Sequence, residues 1–548
     1  MKKVAVIGAG ASGLTATKCC LDEGLVPTCF EMSGDIGGLW HYQSEDREDQ
    51  GSVMKSTVIN TSKETMCFSD FPIPREFPVF MHNTYVQRYL EMYADAHQLR
   101  QYITFHTEVL YYMHRILVPY RCLHDPEKAD DFNDSGQWMI TLRNKKTTEK
   151  VETLFDAVLV CTGHHASSHV PVFRGFSEFK GKVIHSHDYK TPYQYENKRI
   201  VVVGIGNSGG DVAVELSSVT SQVYLSTRRG TWVLNRVGQN GLPIDFTHSR
   251  LVVWANSLCS LRIKEPMARH VLNSRFDHAA YALQPKHSFF AQHPMVNDDL
   301  PNRIASGSIK VKTDIKCFTA TGVEFTDGTK EENIDSVILA TGYVIGFPFI
   351  DTSVLNVQQN NVELYKYMFP PKLRKQTLCI IGCVQPLGAL MPTSELQCRL
   401  ATRVFKGDVT LPSSDEMWKD IRRKEDTMRK TYVKSIRHTI QVDWIPYMDE
   451  LATLVGCKPD LRFLLLTDPK LAWLCLVGPC TPYQFRLQGP GKWTGARDAI
   501  LTVKQRTLYP LKTRSLGFVP NQSQSGFAIF SFSFILMYIM FIWVVFEK

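Results

Sequence analysis

The sequence predicts an α/β fold of two Rossmann-like domains with a transmembrane helix at the C-terminal end. Three observations carry that prediction. A strand, a G-x-G-x-x-G turn and a helix occur together over residues 4–23, the same unit recurs from residue 200, and residues 527–546 form an uncharged apolar run. In such a unit the first glycine permits a tight turn, the second lets backbone approach a pyrophosphate, and the third lets helix and strand pack closely. The helix that follows aims its free N–H groups and positive dipole end at the phosphates. Each unit is therefore dinucleotide-binding.

The two copies end differently. In the first, residues 4–7 read as a strand, Gly8, Gly10 and Gly13 as the turn, residues 11–23 as a helix and residues 27–30 as the next strand, which ends in Glu31. A carboxylate there accepts hydrogen bonds from ribose hydroxyls, the pattern for an unphosphorylated adenosine ribose. In the second, residues 200–203 form the strand and Gly204, Gly206 and Gly209 the turn. The helix starts near Ser208, and the strand at 222–227 runs into Arg228 and Arg229. Two guanidinium groups suit a 2′-phosphate, because each offers a fixed fork of donors. FAD at the first unit and NADPH at the second is the economical reading.

Between the motifs the chain reads as follows. Gly37 and Gly38 allow backbone to approach a ligand, and Trp40 after Leu39 could lie against a flat ring, although a turn with a buried Trp explains the same four residues. Asn60, in a stretch with a strand-like start, reads as a turn residue or as an amide donor. Residues 83–99 have helical spacing, 101–110 read as a strand, 117–132 as a surface loop, and 137–142 with 151–153 as a hairpin. A strand followed by Thr-Gly occurs at 157–163 and again at 336–342, where the glycine allows close passage past a nucleotide. Residues 230–301 carry few motifs, and His248, His270, His278, His287 and His293 match no metal spacing. Strands at 311–327, with a turn at Asp327-Gly328, and at 377–382 precede helices at 396–405 and 414–435; Gly489-Pro490-Gly491 is a turn. The implied organisation is a first FAD-domain part over 1–165, an NADPH domain with an insertion over 166–335, a second FAD part and helical region over 336–515, a tether over 516–526 and an anchor over 527–546.

Composition bounds the alternatives. A chain of 548 residues, 44% hydrophobic and 21% charged, is globular and long enough for two or three domains. The net charge of +8 is small for that length and no Lys/Arg block interleaves with aromatics, which argues against nucleic acid. The 14 cysteines include no C-x-x-C, which argues against a zinc ribbon or a dithiol reductase and for free thiols in a cytosolic body. The glycines at 8, 10 and 13 break the apolar N-terminus, so it is no signal peptide. Residues 527–546 are long enough to cross the hydrocarbon core, and Lys504, Arg506, Lys512 and Arg514 before them place the body on the cytosolic side of a tail anchor. Asn60, Asn133 and Asn521 begin sequons, and those at Asn133 and Asn521 then stay unmodified.

Further motifs bring a family into view. Phe179, Gly181, His185 and Tyr189 fit F-x-G-x-x-x-H-x-x-x-[FY]; with them stand GAGASG at 8–13, GGLW at 37–40, NTSKE at 60–64, GIGNSGGD at 204–211, ATGY at 340–343 and GPGKW at 489–493. Together these resemble the flavin-containing monooxygenases of vertebrate microsomes, also called dimethylaniline monooxygenases, essentially from end to end. The resemblance implies that NADPH reduces FAD, that O2 adds to the flavin as a C4a-hydroperoxide shielded by NADP+, and that a soft amine or sulfur atom of a small lipophilic substrate takes the distal oxygen. It implies FAD contacts from Gly8, Ala9, Gly10, Ala11, Ser12, Gly13, Glu31, Gly38, Leu39, Trp40, Asn60 and Thr61. NADPH contacts come from Gly204, Gly206, Asn207, Ser208, Gly209, Gly210, Asp211, Arg228 and Arg229. Asn60 and Asn207 become catalytic amides, the His185 segment a link between domains, and the location the endoplasmic reticulum membrane. The 117–132 loop is longer than the family's, and Met32 stands where relatives commonly carry Arg. Baeyer–Villiger oxidation of ketones, and a membrane-tethered nucleotide-binding protein with weak oxygenation, are the alternatives; a homo-oligomer stays open.

Overall fold

The structure, a computed structural model, describes residues 1–45, 50–113, 136–435 and 437–514. The 117–132 loop, the 516–526 tether and the 527–546 span lie outside the described residues. No helix among the described residues is long and apolar enough to cross a membrane.

Two five-stranded parallel sheets organise the molecule. In the first, strands Leu378–Ile380, Ala157–Val160, Lys3–Ile7, Val26–Phe30 and Ile103–Thr104 lie side by side in that order. Ala157–Val160 is buried at every residue, as a strand covered on both faces must be. Helix Ala11–Asp22 crosses from the central strand to Val26–Phe30 and packs on helix Leu390–Lys406. The strand expected at 101–110 is broken. His106 takes a left-handed turn at φ 53°, where the chain leaves the sheet after Thr104 and starts the first strand, Thr107–Met113, of a separate antiparallel meander. Trp138–Asn144 and Lys150–Phe155 complete that meander as the expected hairpin.

The second sheet has the order Ile309–Lys312, Gln222–Ser226, Arg199–Val203, Ser336–Leu339, Lys182–His185. Ser336–Leu339 pairs with Arg199–Val203 on one side and Lys182–His185 on the other. The expected boundary at 335/336 therefore cuts a strand from the middle of this sheet, and the second unit extends at least through Leu339. Val323–Phe325 and Lys330–Glu331 form the hairpin about Asp327-Gly328. The motif-poor stretch after Gly230 supplies helices Arg250–Leu258 and Leu261–Asn273.

Distant segments of the first unit meet in a buried ionic cluster. Arg486 Nη2 lies 2.6 Å from Glu395 Oε1 and 2.8 Å from Asp70 Oδ2, while its Nε donates to Ser69 Oγ at 2.6 Å. Lys18 Nζ reaches the same Asp70 oxygen at 2.7 Å. Burial alone would raise the Asp70 pKa; Arg486 and Lys18 outweigh it and hold the carboxyl below its usual range. In the same unit Lys63 is buried in a cage of carbonyls from Arg75 and Phe77, at 2.7 and 2.8 Å, and burial pulls its pKa down to about 8. The cysteines among the described residues are free, and all but Cys317 are buried.

The cluster allows a stability prediction. Arg486→Met leaves buried Glu395 without its ion pair and Asp70 with Lys18 alone, and should cost about 3–5 kcal/mol in denaturant unfolding. Arg497→Met, which breaks a half-exposed pair with Asp468 at 2.7 Å, should cost less than about 1 kcal/mol.

Candidate active site

Both glycine turns open on one cavity of 3240 Å³. Its wall includes Ala11, Ser12, Leu39, Trp40, Asn60 and Thr61 from the first unit, and Gly204, Gly206, Asn207, Ser208, Gly209, Asp211, Arg228 and Arg229 from the second. Gly8, Ala9, Gly10, Gly13, Glu31, Gly38 and Gly210 stand behind that wall. The fingerprint residues are not on it at all.

The first turn leaves no volume for side chains. A Cβ on Gly8 would lie 2.8 Å from the Cys161 carbonyl oxygen, and one on Gly13 would lie 1.7 Å from the carbonyl oxygen of Gly8. The Gly37 N–H donates to Ala9 O at 3.0 Å, and Gly38 Cα lies 3.6 Å from where a Cβ on Gly10 would stand, so the Gly37-Gly38 pair covers the turn. Glu31 is buried beside it. One carboxylate oxygen accepts the Ala9 N–H at 2.7 Å and the other the Ser33 N–H at 2.8 Å. Each oxygen keeps a lone pair for a ribose hydroxyl.

The second turn repeats the first. A Cβ on Gly204 would meet Ala340 O at 2.4 Å, and one on Gly209 would meet Gly204 O at 2.0 Å. Gly206 caps helix Asn207–Leu216 without a side-chain hydrogen bond, leaving its first N–H groups for a ligand. Arg228 and Arg229 come after Thr227, just past strand Gln222–Ser226, are exposed, and make no ion pair among the described residues. Gly210 serves packing instead. A Cβ there would run into Met295 Sδ at 2.3 Å, so it seats the helix against strand Met295–Val296.

The two candidate amides differ. Asn207 Oδ1 accepts the Val296 N–H at 2.8 Å, which fixes its amide plane and leaves Nδ2 as a donor. Asn60 Oδ1 is buried without a partner among the described residues. A bound group with an N–H at that wall would satisfy it, and the glycine cradles have room for backbone-close phosphates; the residues fit two dinucleotides. Asp211 accepts from Asn297 Nδ2 at 2.7 Å, and burial pushes its carboxyl up to about 6 against the pull of Arg236. It ties helix to insertion as well as facing the cavity.

Two residues of the insertion escaped the sequence reading. Asp245 Oδ2 accepts the Ser62 N–H at 2.7 Å and the Thr65 hydroxyl at 2.6 Å, and burial raises its pKa although those bonds oppose it. Arg236 Nε donates to Ile59 O at 3.1 Å. Together they grip the loop that carries Asn60 from both sides. Their only trace in the sequence is a lone carboxylate and a lone arginine in otherwise unpatterned chain.

The fingerprint works by packing. Phe179 packs against Phe318 with ring centroids 5.5 Å apart and planes tilted by 57°, and Tyr189 donates to Glu215 Oε2 at 2.7 Å. Gly181 sits where a Cβ would meet Asp335 O at 2.8 Å. Burial lowers the pKa of His185, whose Nδ1 accepts the His187 N–H at 3.1 Å. His187 in turn meets Gln50 O at 2.6 Å, joining the edge of the second sheet to the N-terminal segment. Among the described residues no three His, Cys, Asp or Glu side chains gather as a metal site needs.

Comparison with known proteins agrees with this geometry. The flavin-binding monooxygenase-like family model matches residues 1–546. Flavin-containing monooxygenase 5 of Rattus norvegicus is 51% identical over 547 residues, 99% of each chain, and that of Homo sapiens is 51% identical over 516 residues, 94% of each. Dimethylaniline monooxygenase (N-oxide-forming) 2 of Cavia porcellus is 46% identical over 527 residues, 96% of each chain. Among solved structures, the S-allyl-L-cysteine S-oxygenase of Allium sativum has a TM-score of 0.62 at 22% identity, covering 86% of this chain and 94% of that one. Cyclohexanone monooxygenase of Rhodococcus sp. Phi1, solved with NADP+, has a TM-score of 0.57 at 15% identity, covering 83% and 97%; these two show a shared fold. Twin glycine cradles on one cavity and a family match over nearly its whole length lead to one statement: the chain belongs to the flavin-binding monooxygenase-like family and is a flavin monooxygenase.

Proposed function

We propose that this monooxygenase uses NADPH and O2 to oxygenate soft nitrogen and sulfur atoms of small lipophilic compounds. The observation that carries the reading is the shared cavity: an acid-ended and an arginine-ended dinucleotide turn face one space whose wall also holds two amides. FAD and NADPH are the cofactors, the first at the Glu31 turn and the second at the Arg228–Arg229 turn. When bound, they supply the oxygen-activating ring and the hydride. The protein supplies place and environment. Asn60, with its unpartnered amide oxygen, orients whatever N–H reaches that wall. Asn207 offers a fixed donor at the start of the second helix. Leu251, Val252, Trp254 and Met267 of the insertion add an apolar wall that favours lipophilic substrates and excludes water. The N-oxide-forming activity in the name of the Cavia porcellus relative supports nitrogen as an acceptor.

Residues 527–546 anchor the chain in the endoplasmic reticulum membrane in this reading, with the body on the cytosolic face. Exposed Lys504, Lys512 and Arg514 supply the cytosolic basic flank. Arg506 contributes less than its place in the sequence suggests, because its Nε lies 3.1 Å from Glu64 Oε1.

The chemistry and the location are both open to measurement. The purified flavoprotein, given NADPH in air, should convert N,N-dimethylaniline to its N-oxide and a thioether to its sulfoxide faster than it converts a cyclic ketone to a lactone; lactone as the dominant product would reverse the assignment. Asn60→Ala should lower product formation by about 10²-fold while flavin remains bound. The double variant Arg228→Ala/Arg229→Ala should raise KM for NADPH by about 10- to 100-fold and leave that for NADH nearly unchanged, as loss of charge-assisted hydrogen bonds to a 2′-phosphate requires. Alkaline carbonate should not release the full chain from membranes, and an endoglycosidase should not change its mass.

A further inference from the structure

Arg437 stands on the cavity wall, over the second turn. Its Nη1 and Nη2 lie 3.1 and 3.3 Å from where a Cβ on Gly206 would be. Gly206 is the residue that caps helix Asn207–Leu216 and leaves that helix's first N–H groups unbonded by any side chain. The guanidinium makes no ion pair and no side-chain hydrogen bond among the described residues; only its backbone N–H is engaged, with Ser435 Oγ at 3.2 Å.

Among the described residues its surroundings offer no counter-charge. The titratable neighbours are His165, His293 and His438, with Arg229 near the last. Burial first and Arg437 second push His165 and His293 down to about 4, and His438 down to about 3, so the three imidazoles are neutral near pH 7. Burial lowers the proton affinity of Arg437 itself, and no carboxylate opposes that. Arg437 is half-buried, and a cation set against a helix N-terminus with no counter-charge among the described residues suits an anion brought by a ligand.

The first turn is the control. There the corresponding place, over Gly10, is filled by backbone, with Gly38 Cα at 3.6 Å, and no cation of the described residues stands within 4 Å. The two turns share their glycines and their strand carbonyls, and differ in what covers them.

Resting on the reading of the second turn as the NADPH site, we propose that Arg437 is a binding residue for the pyrophosphate of that cofactor. Arg228 and Arg229, at the end of the strand, read the 2′-phosphate; Arg437, at the turn, takes the charge that NADPH and NADH have in common. The segment that carries it belongs to the C-terminal region, since Gln441–Val442 pairs with Gln385–Pro386, so the bound nucleotide is held from both sides of the cavity.

The test is a titration of the flavin-loaded full chain with NADP+ and with NAD+, followed by calorimetry and by the ligand-induced rise in unfolding temperature. Arg437→Gln should weaken both ligands by the same factor, about 10- to 100-fold, and leave their affinity ratio unchanged. Arg228→Ala/Arg229→Ala should collapse that ratio instead. Without ligand, Arg437→Gln should unfold no earlier than the parent, since it removes an unpaired cation. Arg437→Met serves as the second neutral variant if Arg437→Gln fails to hold flavin. Parent-like affinity for NADP+ in a neutral, flavin-loaded variant overturns the assignment, and so does a loss confined to NADP+. A parent that holds flavin and binds neither nucleotide overturns the NADPH reading beneath it.

Discussion

Everything at the centre of this protein depends on a lack of volume. Within each nucleotide turn, the third glycine sits against the carbonyl of the first, and the first sits against the carbonyl that ends a neighbouring strand. At 1.7 to 2.8 Å from those oxygens no Cβ fits. The contact holds strand, turn and helix close enough for helix N–H groups to point past the sheet edge. The neighbouring strands, Ala157–Val160 and Ser336–Leu339, both run into Thr-Gly and both occupy interior places in their sheets. Two separate regions of chain arrive at one arrangement because one steric problem has one small set of solutions.

The insertion turns two binding units into one site. Arg236 and Asp245 reach from it to the Asn60 loop, while Val296 and Asn297 reach from it to Asn207 and Asp211 on the second helix. The two amides that face the cavity are thus oriented by the same stretch of chain. A shift of the insertion would move both, which couples the geometry at one nucleotide to that at the other.

What was legible in the sequence follows from this. Gly8, Gly13, Gly204 and Gly209 announce themselves because a forbidden side chain is a local and absolute constraint. Glu31, Arg228 and Arg229 are legible because they stand a fixed distance along a strand–helix–strand unit. Asp245, Arg236 and Arg437 are not, because each acts across the fold on a residue far away in the chain, where no spacing rule reaches. The place of Ser336–Leu339 was hidden for a related reason: an apolar strand carries no mark of which sheet it joins, and only pairing with Arg199–Val203 decides it. The left-handed turn at His106 breaks a strand that composition alone makes continuous.

The burial of the thiols has a chemical consequence. Two cysteines stand beside the first nucleotide turn of this flavin monooxygenase: Cys161 touches Gly8, and Cys29 Sγ lies 3.6 Å from Gly8 O. Oxidants attack thiolate far faster than thiol. Burial holds Cys19, Cys20, Cys29, Cys161, Cys379 and Cys398 in the protonated form far above neutral pH. These six thiols are thereby kept in their less reactive form, so the first unit can carry cysteines beside its turn without offering them as thiolates.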